Sequence, residues 1–337
     1  MTADVEDRAR RLLCGLQDSI RDAVSNARDG RAAEELAEVA AVTAADTIYR
    51  IDKISESAVL AWFEANWPSD LPVELVMEGV EDRAVTFPVG APVDRAAFVC
   101  ILDPIDGTRG LMYDKRSAWV LAALAPRREG KATLADVQVA AMTELPTSKQ
   151  WASDQISGVR GRGPSGLVAQ RVDVRDGSHR PLPIRPSRAL DFRHGFAALA
   201  RFFPDGKELL ARVEERLWRE LHGPGDGGSP LVFEDQYLSS GGQIYELMIG
   251  HDRMIGDLRP LAHGKLGIES SLVCHPYDVC AAALLQEAGG VVERPDGRPL
   301  DAPLDTTSPV SWMGYANPTL AGLVRPILGR LIEEHLR

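Results

Sequence analysis

A short segment between two apolar runs carries two carboxylates. In "ILDPIDGTRG" the first apolar run ends at Asp103, and Asp106 follows three residues later. Pro104 stiffens the turn, so both carboxylates can point the same way, and the Ile105 carbonyl lies between them as a further oxygen. Hard divalent cations such as Mg²⁺ bind oxygen ligands. The segment therefore indicates a metal site.

Two further acids stand at the ends of apolar segments. Glu78 closes the strand-like "VELVME", and Asp278 opens the helix-like "HPYDVCAAALLQEAGG". Carboxylates delivered from several elements make a plausible cluster for divalent cations. Such ions lower the pKa of a bound water and polarise a phosphoryl oxygen, and two ions can stabilise both the attacking and the leaving oxygen. The chemistry that these acids predict is hydrolysis of a phosphomonoester.

The residues after Asp106 suit an anion. Gly107 permits close approach of the backbone, and the N–H groups of Gly107 and Thr108 can face a phosphate. Arg109 can contact a substrate anion through a bidentate fork, or it can pair with an acid at the surface. The sequence leaves both roles of Arg109 open.

Each acid also has a structural explanation. The segment "DPIDG" can be a β-turn in which aspartate accepts backbone hydrogen bonds, or a Ca²⁺-binding loop of its own. Asp278 can be a first-turn acid that the helix dipole stabilises. Glu78 can be a solvated acid beside Glu81 and Asp82. Taken singly, none of these features decides between a structural and a catalytic role.

The N-terminal half is predicted to combine helices with strands. Apolar residues between Val5 and Val24 recur at helical spacing, and a second, bent helical region runs from Ala32 to Trp67. Near-continuous apolar runs predict strands that are covered on both faces, in "VELVME", "AFVCIL", "SAWVLAAL" and "DVQVAAMTEL". The span from Gly158 to Ser187 reads as hairpins and loops.

The C-terminal half alternates again. Helices are predicted in "GKELLARVEERLWRELHG", "GGQIYELMIG" and "HPYDVCAAALLQEAGG", and strands in "RMIGDL" and "VSWMGYA". A last helix from Pro318 is expected to bury Leu323 and Ile327 among other apolar residues. We predict a layered α/β (α+β) protein with two packed sub-domains. Residues 1–187 would carry most of the metal ligands, and residues 188–337 would supply Asp278 and the substrate wall.

The composition of the chain limits the kinds of partner that we expect it to bind. The 337 residues carry a formal charge of -11, which argues against a surface for a nucleic-acid polymer. No apolar stretch approaches the roughly 20 residues of a membrane span, and the N-terminus resembles no leader peptide, so we expect a cytoplasmic protein without a membrane partner. The four cysteines form no CxxC pair and are expected to be reduced thiols.

Taken in chain order, four segments resemble the inositol monophosphatase superfamily, which includes fructose-1,6-bisphosphatases and 3'-phosphoadenosine 5'-phosphate phosphatases. "VTAAD", ending at Asp46, resembles Val-Thr-x-x-Asp, and "VMEG" resembles Gly-Glu-Glu or Ser-Glu-Glu. "ILDPIDGTRG" resembles Asp-Pro-x-Asp-Gly-Thr, and "HPYDVCAAALLQEAGGVV" resembles Trp-Asp-x-Ala-Ala followed by Glu-Ala-Gly-Gly. The resemblance spans most of the chain and is loose between Gly158 and Leu238.

The resemblance implies an αβαβα layered sandwich, often a homodimer, that hydrolyses small phosphomonoesters with two or three Mg²⁺ ions, or with Mn²⁺. The implied metal ligands are Glu78, Asp103, the Ile105 carbonyl, Asp106 and Asp278. Glu78 and Thr108 would orient the attacking water, with Asp46 supporting Thr108 or metal-bound water. The amides of Gly107 and Thr108, together with Arg109, would hold the phosphate.

The sequence departs from the family pattern in several places. Gly79 replaces the second acid of the Glu-Glu pair, Tyr277 replaces the tryptophan, and Arg109 stands where several adenosine-bisphosphate phosphatases have lysine. The long segment "RPLAHGKLGIESSLV" before His275 should reshape the substrate wall. We therefore expect Mg²⁺-dependent hydrolysis of a small sugar, cyclitol or nucleotide phosphate. The alternatives are a 3'-phosphoadenosine 5'-phosphate phosphatase-like nucleotidase and a non-catalytic binder of phosphate ligands.

Overall fold

The fold is seen in a computed structural model of the chain, which describes all but a few short segments. The described residues are 1–28, 39–42, 47–80, 84–128, 130–224, 229–269 and 272–337, and of 39–42 and 47–50 only the backbone is described. The predicted helix break at residues 29–31 and the predicted site residue Asp46 lie outside the described residues.

The helices of the described residues vary from one turn to seven. They are α1 (Ala3–Arg28), α2 (Arg50–Asn66), α3 (Thr108–Met112), α4 (Lys207–His222), α5 (Ser240–Met248), α6 (Arg259–Leu266), α7 (Ala283–Glu287) and α8 (Pro318–His335). A 3₁₀ helix, Tyr277–Ala282, leads directly into α7.

A large sheet of eight strands forms the first half of the fold. Its strands are β3 (Val73–Met77), β4 (Val85–Phe87), β5 (Phe98–Asp106), β6 (Ala118–Pro126), β7 (Val139–Leu145), β8 (Ala152–Val159), β9 (Val168–Asp173) and β10 (His179–Pro181). Their order is β10-β9-β8-β7-β6-β5-β3-β4. Neighbours are antiparallel except for β3 and β5, which are parallel.

A smaller sheet of five strands forms the second half. Its strands are β11 (Gly195–Leu199), β12 (Val232–Phe233), β13 (Asp252–Asp257), β14 (Val291–Glu293) and β15 (Trp312–Tyr315). Their order is β12-β11-β13-β15-β14, and β11 runs parallel to both β12 and β13. A separate antiparallel pair joins β1 (Val39–Val42) to β2 (Thr47–Tyr49).

The helices and the two sheets alternate as layers. Helices α1 and α2 pack on one face of the eight-stranded sheet, and α5, the 3₁₀ helix and α7 fill the space between the sheets. Helices α4 and α8 cover the outer face of the five-stranded sheet. One apolar core lies beneath α1 and α2, and a larger one surrounds the central layer. The predicted αβαβα sandwich is confirmed.

Helix α1 shows how the apolar pattern places this first layer. Its buried face includes Leu13, Leu16 and Ile20, which recur at helical spacing as predicted. Gln17 is also fully buried, and its amide donates to the carbonyls of Val120 and Ala141 on β6 and β7. These bonds satisfy a polar group that would otherwise be costly to bury.

The second predicted helix is wrong in its first half. Helix α2 begins only at Arg50 and ends at Asn66, and the backbone at 39–42 and 47–49 forms β1 and β2. The rest of the predicted first half, residues 32–38 and 43–46, lies outside the described residues. Valine, threonine and isoleucine are frequent in this stretch, and these β-branched residues favour extended backbone over helix. The predicted end near Trp67 agrees with the structure.

Other elements agree in part. The strands predicted in both halves are present. The sequence analysis did not predict β4, β8, β11, β12 and β14. The predicted "HPYDVCAAALLQEAGG" helix is 3₁₀ in its first half. Leu323 on α8 is 39% exposed, so its predicted burial is wrong, because 18 residues of helix turn one face to solvent. The sub-domain boundary at residue 187 stays a prediction.

The cysteines behave as predicted. Cys100, Cys274 and Cys280 are buried, Cys14 is half-buried, and all four are free thiols. None of the described helices combines the length and the apolar character that a membrane span requires.

Candidate metal and phosphate site

The end of β5 explains how two aspartates three residues apart reach the same side of a sheet. In a regular strand, side chains three residues apart point to opposite faces. Asp103 lies opposite Leu121 and Asp106 opposite Trp119, so β5 advances three residues while β6 advances two. The extra residue is a β-bulge, which reverses the alternation and turns both carboxylates toward the central helical layer. The Ile105 N–H donates to Asp103 Oδ1 at 3.0 Å inside the bulge.

Asp278 meets these two carboxylates from the central layer. One carboxylate oxygen from each of Asp103, Asp106 and Asp278 lies within 4.8 Å of the others. Asp278 belongs to the 3₁₀ helix, and its Oδ2 accepts the His275 N–H at 2.6 Å. Glu78, directly after β3, lines the same cleft. The structure therefore brings together the four acids that the sequence singled out, along with Ile105.

Burial and neighbouring acids raise the pKa values of Asp103 and Asp278. Burial raises the pKa of the Asp103 carboxyl well above its ordinary value, and the charges of Glu78, Asp106 and Asp278 raise it further. Burial likewise raises the pKa of Asp278, with Asp106 adding to the rise. A bound cation would reverse these effects, since it offsets the repulsion that keeps the protons on.

Asp106 is held by the N-terminus of α5. Its carboxylate accepts the Ser239 hydroxyl at 2.7 Å, the Ser240 N–H at 3.2 Å and the Gly241 N–H at 2.5 Å. Burial raises its pKa to about 6, while these hydrogen bonds limit the rise. A side chain at Gly241 would approach Leu121 to 2.6 Å, so glycine allows this contact. The sequence analysis missed Ser239 and Ser240, although "SSGG" before an apolar helix is typical of an N-cap.

Gly107 adopts a backbone conformation that other residues rarely take. Its φ is 98°, and an added Cβ would lie 3.0 Å from the Leu238 carbonyl oxygen. Helix α3 begins at Thr108, so the N–H groups of Gly107 and Thr108 stand where a helix offers donors without intrahelical acceptors. Both residues line the cleft beside the acids. Their predicted contact with phosphate stays a prediction.

Thr108 has a partner that the sequence analysis missed. Its hydroxyl lies 3.1 Å from Asp52 Oδ1 and 2.8 Å from the Ile105 carbonyl oxygen, and it can donate to either. Asp52 lies in the first turn of α2. Once the hydroxyl proton is committed to one of these acceptors, the Thr108 oxygen can accept a hydrogen bond from water. Asp46, the predicted partner, lies outside the described residues, so its role stays a prediction.

The structure gives a reason for one departure from the family pattern. Gly79, which replaces the second acid, has a φ of 84° in the turn that follows β3. Glycine adopts this left-handed conformation readily and glutamate rarely does. The first acid, Glu78, keeps its place in the cleft.

Arginines and aromatic residues form one wall of the cleft. Phe202 and Phe203 follow β11, and Arg259 follows β13, so the carboxyl ends of two parallel strands meet there. The Arg109 guanidinium lies 5.9 Å from the centre of the Phe203 ring. Arg109 therefore faces the cleft. The sequence analysis missed Arg259, Phe202 and Phe203, because no local pattern marks the ends of strands that meet only in the fold.

The donor set fits a hard divalent cation. Three carboxylates meet within 4.8 Å of one another, and burial together with neighbouring acids raises the pKa values of Asp103 and Asp278. Oxygen ligands of this kind suit Mg²⁺ or Mn²⁺ and lack the nitrogen and sulfur donors typical of zinc sites. Asp103, Asp106 and Asp278, with Glu78 beside them, are the residues that would hold such an ion.

Comparison with known proteins identifies solved structures whose fold is similar to that of this chain. No family model matches the sequence, and no curated protein matches it. The extragenic suppressor protein suhB of Bartonella henselae superposes with a TM-score of 0.63 at 14% identity, covering 97% of this chain and 99% of that one. An inositol monophosphatase from Zymomonas mobilis gives a TM-score of 0.58 at 17% identity, covering 98% and 99%.

A bisphosphatase is similar to the same extent. Fructose-1,6-bisphosphatase of Leishmania major superposes with a TM-score of 0.63 at 13% identity, covering 96% of this chain and 93% of that one. The similarity thus extends over nearly the whole length of each protein, at low sequence identity. The chain therefore has the same fold as these inositol monophosphatase and fructose-1,6-bisphosphatase structures.

Proposed function

We propose that this protein is a metal-dependent phosphatase that hydrolyses small phosphomonoesters. The observation that carries the proposal is the cluster of Asp103, Asp106 and Asp278, which meet within 4.8 Å at the floor of a cleft. The shared fold supports the proposal, because the similar structures include an inositol monophosphatase and a fructose-1,6-bisphosphatase.

Metal binding would fall to residues of two layers. Asp103, Asp106 and the Ile105 carbonyl come from the β5 bulge, Asp278 from the central layer, and Glu78 from the end of β3. When bound, Mg²⁺ supplies Lewis-acid polarisation of the phosphoryl group and lowers the pKa of water. The protein's own contribution is to hold the acids in place, chiefly through the three hydrogen bonds from the start of α5 to Asp106.

The remaining residues position the water and the substrate. Glu78 and the Thr108 hydroxyl orient the attacking water. The hydroxyl donates a hydrogen bond to Asp52, so the Thr108 oxygen can accept a hydrogen bond from that water. The Gly107 and Thr108 amides, together with Arg109, hold the phosphate oxygens. We keep Asp46 as a further support of Thr108 or of metal-bound water, as the family resemblance implies.

A phosphate-release assay tests the proposal. The panel contains p-nitrophenyl phosphate, inositol 1-phosphate, fructose 1,6-bisphosphate and adenosine 3',5'-bisphosphate, each with Mg²⁺, with Mn²⁺ and with excess EDTA. We expect turnover of at least one member with Mg²⁺ or Mn²⁺ and its loss in EDTA. Folded protein that releases no phosphate from any member, or releases it equally well in EDTA, contradicts the proposal. Asp173→Asn, a change on β9, serves as the control variant.

A further inference from the structure

Arg259 is a buried cation at the wall of the cleft. The residue is 6% exposed, and it follows β13 on the side of the cleft that the five-stranded sheet provides. Its Nε lies 2.9 Å and 3.0 Å from the two carboxylate oxygens of Asp257, and its Nη2 also donates to Asp257. Asp257 is 1% exposed, so the two charges compensate each other out of water.

Two N–H groups of the Arg259 guanidinium are used by neither Asp257 nor Leu272. Of its five N–H groups, Nε–H and one Nη2–H serve Asp257, and one Nη1–H donates to the Leu272 carbonyl at 2.9 Å. Among the described residues, the other N–H of each terminal nitrogen has no protein acceptor. A planar fork with a free N–H on each terminal nitrogen matches the oxygen pair of a phosphate or carboxylate.

The surroundings place this fork beside the acids and against aromatic rings. Arg259 lines the same cleft as Asp106 and Asp278 of the candidate metal cluster. Its guanidinium carbon is 4.4 Å from the centre of the Phe202 ring and 5.5 Å from that of Phe203. Arg109 approaches the same Phe203 ring to 5.9 Å. Two cations thus flank one aromatic ring at the cleft wall.

We propose that Arg259 binds a second phosphate of the substrate, so that the preferred substrates are small bisphosphorylated molecules. This inference rests on the proposed phosphatase function. The scissile phosphate belongs at the floor of the cleft, where Gly107, Thr108 and the acids of the first sheet lie. Arg259 comes from the second sheet, on the wall, and the Phe202 and Phe203 rings offer an apolar surface for the body that joins the two phosphates.

The negative charge of a second phosphate explains why an arginine would be needed at this wall. A second phosphate adds about -1.5 to -2 charges at neutral pH to a site already rich in carboxylates. The Arg259 guanidinium is already paired with Asp257, and it can still donate two charge-assisted hydrogen bonds to that phosphate. Sugar bisphosphates and nucleoside bisphosphates share this chemistry, and the test separates them.

The test compares each bisphosphate with its own monophosphates. Values of kcat/KM are measured for fructose 1,6-bisphosphate against fructose 1-phosphate and fructose 6-phosphate. The same values are measured for adenosine 3',5'-bisphosphate against the 3'- and 5'-monophosphates. In one of the two sets, we expect the wild-type protein to prefer the bisphosphate by roughly 10- to 100-fold, the size of charge-assisted hydrogen bonds. The set that shows the preference identifies the body of the substrate.

Arg259→Lys is the informative variant, because lysine keeps a charge opposite Asp257 but loses the planar fork. We expect it to reduce the preference for the bisphosphate by about 10-fold or more. The charge-neutral pair Arg259→Met with Asp257→Asn repeats the test without an unpaired buried charge. Arg171→Lys is the matched control, since Arg171 forms a bidentate pair with the buried Asp154 outside the cleft. Melting temperatures verify that each variant is folded.

Several results would overturn the inference. A wild-type protein that turns over monophosphates and bisphosphates equally well has no second phosphate site. Equal losses for both members of each set in Arg259→Lys would mean that Arg259 contacts the scissile phosphate or only supports the fold. If nothing is turned over, the proposed function fails, and calorimetric titration of both bisphosphates with Mg²⁺ decides this inference. Wild-type binding at least 10-fold tighter than that of Arg259→Lys supports it, and equal or absent binding refutes it.

Discussion

Replacing Asp103 by asparagine should stabilise the protein when no divalent cation is present. At 4.8 Å, two unit charges repel by about 3.5 kcal/mol at an effective dielectric constant of about 20, and Asp103 belongs to two of the three pairs in the cluster. Part of this cost is already relieved by protonation, as the raised pKa of Asp103 indicates. Asparagine keeps an oxygen for the Ile105 N–H. We therefore expect a gain of roughly 3 kcal/mol at pH 8.

Magnesium should remove this advantage. An ion that binds only the folded protein adds about 2.7 kcal/mol at a concentration 100 times its Kd. For a chain of 337 residues the entropy of unfolding is about 0.7 kcal/mol per degree, so each of these changes moves Tm by about 4 °C. In EDTA the variant should melt about 4 °C above the wild type, and saturating Mg²⁺ should raise only the wild type and close the gap.

Differential scanning calorimetry at pH 8, in EDTA and in a Mg²⁺ series, measures both effects, with Asp173→Asn as the control. The control loses the ion pair of Asp173 with Arg175, so its Tm can differ from that of the wild type by a constant amount, and Mg²⁺ should raise it as much as that of the wild type. The reasoning is refuted if Asp103→Asn melts below the wild type in EDTA, or if Mg²⁺ raises Tm of the variant as much as that of the wild type.

Three further predictions concern single residues. Burial beside Glu246 raises the pKa of Asp252 to about 7. The folded protein therefore favours protonated Asp252, and this contribution to stability is present below about pH 4 and is lost as the pH rises through about 7. Relative to Asp252→Asn, the wild type should lose up to roughly 4 kcal/mol of unfolding free energy between pH 4 and pH 8 in urea titrations, and equal pH profiles would contradict this. Gly107→Ala should lower phosphate release by about 10-fold or more, because a φ of 98° is strained for alanine; wild-type activity would refute the contact. Asp52→Asn should lower kcat about 10-fold with KM little changed, because Thr108 loses a charged acceptor; an effect on KM alone would argue against a role in positioning water.

Local features of the chain predicted much of the fold. Leu13, Leu16 and Ile20 recur at helical spacing, and they pack against the sheet as α1 requires. The unbroken apolar run of "SAWVLAAL" predicted a strand covered on both faces, and β6 is buried along nearly all of its length. Such patterns are visible in the sequence because the buried face of a helix or strand requires apolar residues at a fixed spacing.

The hairpin before α2 shows where this reading failed. A helix was predicted across backbone that pairs as β1 and β2, since alanine-rich sequence with interspersed valines satisfies both patterns. Short strands gain their stability from pairing and packing, which the local pattern does not contain.

The site was predicted as a set of residues, and its geometry was not. The order of four motifs pointed to Glu78, Asp103, Asp106 and Asp278, and the structure places all four at one cleft. The bulge that turns Asp103 and Asp106 to one face depends on the register with β6, which the sequence does not reveal.

The contacts that hold and surround the cluster were also missed. The hydroxyl of Ser239 binds Asp106 across 133 residues of chain, and Arg259 reaches the cleft only because β11 and β13 lie side by side. Long-range pairings of this kind leave no periodic signal in one sequence.

The most direct measurement of the central claim is phosphate release as a function of Mg²⁺ concentration, by wild type and Asp103→Asn side by side after EDTA treatment. The substrate is the best member of the panel. We expect saturable dependence on Mg²⁺ in the wild type and a loss of about 1000-fold or more in a folded Asp103→Asn protein, because the variant lacks one carboxylate of the candidate metal cluster. Turnover that persists in metal-free wild type, or that survives the substitution unchanged, would contradict the account.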